Sequence, residues 1–406
     1  MRILFLTHRI PYPPNKGDKI RSYHILNYLI KSHEIYLASL IDQKKDKQFL
    51  LFLKEHTKKF IHDTINPSIK KIYCLSSLLT NQPITSCFFY SKSLQRAIDK
   101  LIVNNEIDIF FCFSSQMAEY IFRSKYLDRI KEHICIIDMI DVDSCKWAQY
   151  AENKVGWRRW IYNYEARQLT NYEQKIIEFF DHVLVVSDQE KDLLIQKAQA
   201  ANVLSIKNGV DSIFFDPDFR SKLRSRNPRI VFTGVMDYWP NIEGVQWFGE
   251  KIFPCIQKVI PSVEFFIVGS QPSSEIRRLG ERNGIYVTGY VDDVRDYLSA
   301  ADVCVAPLRI ARGIQNKVLE AMSMAKAVVA TPQALEGIQA EPGIEVLSAA
   351  DEHSFATAVI ELIQNKSKAQ EMGELARECV QRDYNWEKNL SLLDSLILEN
   401  TLVHNT

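Results

Sequence analysis

"RGIQNKVLEAMSMAKAVVAT", residues 312–331, holds the reading of this chain. A glycine and a lysine stand at the mouth of a helix, Glu320 follows one turn in, and the β-branched run "AVVAT" comes straight after. The run before it, "DVCVAP" at 302–307, is apolar without alternation. Continuous runs of this kind mark strands buried on both faces of a parallel sheet. The stretch therefore reads as strand, loop, helix, strand, the repeating unit of a doubly wound α/β domain.

The same alternation runs outward in both directions. The second half holds "RIVFTG", "VEFFIVG" and "IYVTG" as further strands, and the first half holds "RILFLT", "EIYLASLI", "IKKIYCL", "IDIFFCFS", "HICIID" and "DHVLVVS". Helical segments such as "GDKIRSYHILNYLIKS", "SLQRAIDKLIVNN" and "NIEGVQWFGEKIFPCIQKV" lie between them. The pattern occurs twice, so the expected architecture is α/β, with two Rossmann-like, doubly wound parallel-sheet domains in tandem. The break falls in "IKNGVDSIFFDPDFRSKLRSRNPRI", rich in turn formers and charge. Expected boundaries are 1–207, 208–382 and 383–406, the last an amphipathic C-terminal helix that packs back across.

Fifty basic and fifty acidic residues cancel over 406 positions. A neutral chain offers no bulk attraction to nucleic acid, so no nucleic-acid partner is expected. The eight cysteines include no C-x-x-C pair and several sit in apolar runs, so reduced thiols and a cytoplasmic protein are expected. "MRILFLTHRIPYPP" has too short an apolar core for a signal peptide and reads as a first strand ending in a proline-rich loop. No stretch approaches the roughly 18 apolar residues of a membrane span.

Three strands of the second half end in glycine, at Gly234, Gly269 and Gly289. Ligands of open α/β sheets bind at the carboxyl ends of strands, where glycine lets backbone come close. Glycine also simply ends strands, but three together followed by "RGIQNK" favour a site. Neither G-x-G-x-x-G nor a P-loop is present, which argues against a dinucleotide enzyme and a P-loop NTPase. The first turn of the helix after Gly313 has free N–H groups and a partial positive charge, and so suits an anion. Arg309, Arg312 and Lys317 add fixed charge, and a diphosphate matches that description. Glu320, on the face shared with Lys317, can accept both hydroxyls of a ribose. The plainer alternative is a surface Lys317–Glu320 pair.

At these residues the chain resembles a GT-B glycosyltransferase of the large retaining family 4. The likeness also takes in "PYPPNKGDKIRS", "DHVLVVSDQEKDLL", "IKNGVDSIFFDP", "IVFTGVMDYWPNIEGVQWF" and "IYVTGYVDDVRDYLSAADVCVAPLR". Pairing "PYPPNKGDKIRS" with "DVDSCKWAQYA" resembles the sugar transferases of exosortase/PEP-CTERM exopolysaccharide systems. The resemblance implies two domains facing a cleft, an N-terminal acceptor-binding domain and a C-terminal domain for a nucleotide-diphosphate sugar. It implies retaining transfer to a glycan or lipid-linked acceptor, with neither cofactor nor metal, at the inner face of the membrane. Glu320 takes the ribose-binding position, Gly313 and Ile314 offer backbone N–H groups to the diphosphate or sugar, and Gly17 closes over the diphosphate. Tyr290 and Val291 border the base.

Three departures qualify that picture. The first of the family's two glutamates is replaced by Arg312, and the loop "GVMDYWPN" after Gly234 lacks the usual cations. Arg309, Arg312 and Lys317 are the residues available to supply that charge. The N-terminal-domain histidine has no obvious counterpart, and Asp141 or Asp143 in "IIDMIDVDSCKW" is a substitute. Both aspartates also read as helix caps. His8, just after the first strand, is a third catalytic candidate, though a lone histidine there also serves packing. Trp157, Arg158, Arg159 and Trp160 form either a membrane-interfacial patch or the edge of a packed helix. A non-catalytic sugar-nucleotide-binding scaffold and a GT-B epimerase are the competing functions.

Overall fold

The computed structural model describes residues 1–14, 17–74, 77–104, 107–152, 154–198, 200–223, 227–311 and 313–403. Contacts divide them into two units, one of Met1–Ile206 with Leu390–Thr406 and the other of Lys207–Asn389.

The first unit is built on strands β1 (Arg2–Thr7), β2 (Glu34–Ile41), β3 (Lys59–Thr64), β4 (Ile109–Phe113), β5 (Ile134–Ile140), β6 (His182–Val185) and β7 (Val203–Ser205). They form one parallel sheet in the order β3-β2-β1-β4-β5-β6-β7. The chain winds to one side through β2 and β3, then starts again beside β1 with β4. The order therefore reverses between β1 and β4, and there two neighbouring strand ends are left uncrossed by their own connections. Ile3, Leu4, Phe5 and Leu6 of β1 are wholly buried, as unbroken apolar runs require.

The second unit repeats the scheme with β8 (Arg229–Thr233), β9 (Glu264–Val268), β10 (Ile285–Gly289), β11 (Val303–Ala306), β12 (Val328–Ala330) and β13 (Leu347–Ser348). All pair in parallel, in the order β10-β9-β8-β11-β12-β13. Its reversal falls between β8 and β11. The doubly wound reading of both halves is thus correct.

One local expectation is overturned and a second is refined. "IKKIYCL" is not a strand: Pro67–Tyr73 is helical, with the Asn66 side chain accepting from Ser68 and Ile69 N–H and Pro67 in the first turn. The strand of that region is β3, "KFIHDT", whose residues are half-buried or exposed. An edge strand needs no apolar run, so composition does not mark it. The helix from Trp239 to Val259 is also not uniform, because Phe248–Ile252 is a π turn. Pro254 has no N–H to give a preceding carbonyl, and the wider turn absorbs that loss.

The C-terminal segment is three helices, Lys366–Asp383, Trp386–Leu390 and Leu392–Val403. The last belongs to the first unit, where Tyr28 donates to Asp394 at 2.5 Å. All eight cysteines are free thiols.

Candidate active site

In the second unit the reversal point gathers three segments. Gly234 ends β8, residues 307–315 leave β11, and the helix Asn316–Ser323 starts from that exit loop. Gly234 and Gly269 are stacked backbone to backbone, so a Cβ on Gly269 would lie 1.7 Å from the Gly234 carbonyl oxygen. Gly313 has φ +62°, a left-handed turn that glycine adopts without the Cβ clash. This turn redirects the chain so that the following helix points its first turn at the strand ends. Ile314, beside it, is buried.

Lys317 reaches across from that helix to β8. Its ammonium donates to Asn241 Oδ1 and lies 4.5 Å from the centre of the Phe232 ring. A Cβ on Gly234 would be 3.2 Å from it. Asn241 is buried, and its Nδ2 donates to Val235 O at 2.9 Å. The loop after β8 has no cation of its own, yet a charge from the neighbouring helix stands at its first residue.

Glu320 is half-buried, and its carboxylate accepts no hydrogen bond from the described residues. Burial pushes it up to about 7, against the pull of Lys317. Burial likewise pushes Lys317 down to about 7, with Glu320 opposing. The two groups share one environment but are not locked in a surface ion pair. A half-enclosed carboxylate with open lone pairs is suited to neutral hydroxyl donors, which add no charge of their own.

The other expected donor-site residues are placed less centrally. Arg309 pairs with Glu243 and lies 5.1 Å over the Trp247 ring, so its charge is already matched. Arg312 lies outside the described residues. Tyr290 and Val291 follow Gly289 at the end of the edge strand β10, and Tyr290 is exposed. Gly17 is the first residue of the helix Gly17–Ile30 in the other unit.

In the first unit the reversal point also collects polar groups. His8 follows β1, is buried, and stacks on Phe113 at the end of β4 with ring centres 6.0 Å apart. Its Nε2 is 3.1 Å from Asp18 Oδ2, which also accepts from Arg9 at 2.7 Å. Its Nδ1 is buried without a hydrogen-bond partner among the described residues. Beside it, Ser114 has φ +79°, and at the end of β5 Ile140 has φ +70°. Left-handed backbone at a β-branched residue is a marked outlier of the kind found at functional sites. The buried pair Arg21–Asp138, at 2.8 Å, supports it, since Asp138 Oδ1 accepts from Ile140 N–H.

Asp143 is the first residue of the helix Asp143–Glu152, but its carboxylate accepts from Ser115 Oγ at 2.8 Å and Gln116 Nε2 at 3.0 Å. The N–H of Ser144 is taken instead by Glu173, and that of Val142 by Glu190. The capping role considered for Asp143 thus passes to carboxylates distant in sequence. Asp141 is half-buried just before it. Asn241, Ser114, Ser115 and Asp18 were not singled out from sequence. Pro240 marks the helix start that positions Asn241, but the pairing with Lys317 spans 76 residues.

Residues 227–365 match the family described as "Glycosyl transferases group 1". The fold is GT-B. Sucrose-phosphate synthase from Thermosynechococcus elongatus aligns over 99% of this chain and 100% of its own, with TM-score 0.73 and 16% identity. Anabaena Alr3699/HepE, in complex with UDP and glucose, aligns over 98% of this chain and 100% of its own, with TM-score 0.68 and 16% identity. By sequence, an uncharacterized 44.6 kDa protein in the cps region of Klebsiella pneumoniae is 22% identical over 399 residues, covering 96% of this chain and 98% of that protein. The glycosyl transferases group 1 match contains Gly234, Asn241, Arg309, Gly313, Lys317 and Glu320, so the second unit's cluster lies wholly inside it.

Proposed function

We propose that this chain is a retaining glycosyltransferase that moves a sugar from a nucleoside-diphosphate sugar to an acceptor hydroxyl. The observation that carries the reading is the open Glu320 carboxylate one turn from Lys317, at the reversal point of a unit matching glycosyl transferases group 1. Glu320 receives the ribose hydroxyls. The Gly313 and Ile314 N–H groups and Lys317 receive the diphosphate, and Tyr290 and Val291 border the base. The second unit is thus the donor-binding domain and the first the acceptor-binding domain. A UDP-sugar is the first donor to test, since Alr3699/HepE is described in complex with UDP and with UDP-glucose.

In transfer with retention, the acceptor hydroxyl attacks from the side the diphosphate is leaving. The protein's task is to stabilise charge growing on the leaving phosphate and to orient the partners. A cation in the first turn of a helix, beside that turn's free N–H groups, does this without a metal or a cofactor. Asp141 and Asp143 are the groups to receive or orient the acceptor's proton, with His8 a third candidate. A surface-glycan role, as in exopolysaccharide assembly on lipid-linked acceptors at the inner membrane face, is supported by the relative described in a cps region.

The test is a thermal shift of wild type and Glu320→Ala with nucleoside diphosphates and sugar nucleotides. A ligand at about 100 times its dissociation constant adds roughly 2.7 kcal/mol to wild type. Stabilisation of wild type but not of a well-folded variant is expected. No shift with any nucleotide sinks the donor-site reading. Arg312, at the sequence position of the first glutamate of the resembled family, keeps the scaffold alternative in view. Nucleotide binding without turnover across acceptors would select it.

A further inference from the structure

The helix Pro67–Tyr73 buries none of its residues. Ile69, Ile72 and Tyr73 are nevertheless apolar, and they are 65%, 74% and 62% exposed. Their spacing of three and four puts them on one face. A second exposed apolar group begins the helix Gly156–Phe179, where Val155, Trp157 and Trp160 stand in solvent, the tryptophans 69% and 59% exposed. Single exposed apolar residues are ordinary, but a helix that shows its whole apolar face to solvent is not.

The two groups are joined. The helix Ile84–Phe88 packs on Pro67–Tyr73. It is held to the long helix by Glu165, which accepts from Ile84 N at 2.7 Å and Thr85 N at 3.0 Å. Immediately before Glu165, Tyr164 donates to Ser77 O at 3.0 Å and stacks under Trp160, with centres 6.0 Å apart. Both groups are basic. Lys70 and Lys71 lie in the first, Lys154, Arg158 and Arg159 in the second, and no acid occurs in 67–73 or 154–164. In a chain of zero net charge this is a local concentration. Arg158 lies 5.4 Å over the Trp157 ring, so a cation and an indole are presented together.

We propose that this surface docks on an anionic lipid bilayer, with Trp157, Trp160, Ile69, Ile72 and Tyr73 entering the headgroup region and Lys71, Arg158 and Arg159 meeting lipid phosphates. Indole and phenol rings suit the interface, where one end is apolar and the other wet. Lys71, Arg158 and Arg159, with no acid in either segment, favour a negative lipid surface over an apolar protein groove. Among the described residues no helix is long and apolar enough to cross a membrane, so contact here is peripheral. The proposal stands independently of the donor-site reading.

The test is flotation of the full chain with vesicles of equimolar phosphatidylglycerol and phosphatidylcholine, beside vesicles of phosphatidylcholine alone. Wild type is expected to float with the first and far less with the second, and added salt should weaken it. Arg158→Gln should lower partition about fivefold, and Arg159→Gln on top of it about fivefold more. Trp157→Ser with Trp160→Ser, and separately Ile69→Ser with Ile72→Ser, should reduce binding further while leaving the melting temperature unchanged. Wild type that ignores anionic vesicles overturns the proposal. So do variants that bind as wild type does. Concentration-dependent dimers lost in the tryptophan variant would overturn it in favour of a second copy of this chain.

Discussion

Lys317 donates its ammonium proton to the side-chain oxygen of Asn241, from a helix that begins 75 residues later in the chain. Asn241 is in turn tied to the Val235 carbonyl. The cation is therefore aimed by the first turn of the helix Trp239–Trp247, which follows β8, and not by its own helix. Lys317→Met is expected to weaken nucleoside diphosphate binding by about 10- to 100-fold, the range for hydrogen bonds to a charged group. Asn241→Ala should lose less, because the charge remains but wanders. Calorimetric titration of the three proteins with the stabilising nucleotide checks the order.

Glu320 gives the unliganded protein a particular pH dependence. Its carboxyl is pushed from 4.5 up to about 7 by burial. Between those values the folded state binds more protons than the unfolded one, so stability falls as pH rises. Glu320→Gln removes that slope. Its advantage over wild type should be near zero around pH 4 and reach on the order of 1–3 kcal/mol by about pH 8. Urea unfolding at several pH values reads it, and an advantage largest in acid would contradict the burial of Glu320.

Asp18 works in the opposite sense. Burial raises its pKa, but the hydrogen bond and charge of His8, together with Arg9, outweigh that and hold it well below the usual carboxylate range. Its contribution is complete above 3.8 and is lost as pH falls toward the folded value. Asp18→Asn should therefore destabilise the protein at neutral pH and progressively less below about pH 4. Melting temperatures of both proteins across the acid range test this.

Gly269 and Gly289 both end strands, yet alanine should treat them differently. At Gly269 a Cβ would lie 1.7 Å from the Gly234 oxygen, so the two strand ends must part. Gly269→Ala is expected to cost more than about 3 kcal/mol, beyond ordinary overpacking. At Gly289 nothing lies within 4 Å of a Cβ, and only φ +71° opposes it. Gly289→Ala should cost about 1–2 kcal/mol. Equal denaturation midpoints for the two variants would contradict the backbone stacking.

Much of this was legible in residue order. Unbroken apolar runs at "RILFLT" and "DVCVAP" become buried parallel strands because nothing else can bury both faces of such a run. Glu320 and Lys317, three apart on a helix, had to share a face. The helix Pro67–Tyr73 was misread because "IKKIYCL" is apolar enough for a strand, while Asn66 and Pro67, the local start signals, lie just before it. The edge strand β3 was missed because exposure frees it from an apolar pattern.

By itself, then, the sequence determined two doubly wound domains, the strand ends that bear glycine, and a carboxylate and a lysine on one helix face. These follow from periodicity and local chemistry, which act over a few residues. Only the tertiary structure decided that Lys317 stands at Gly234, that Arg309 is matched by Glu243, and that Asp143 bonds Ser115 instead of capping its helix. Each of those depends on which strands lie side by side in the sheet. That order is set by the packing of whole layers, and no short stretch of residues encodes it.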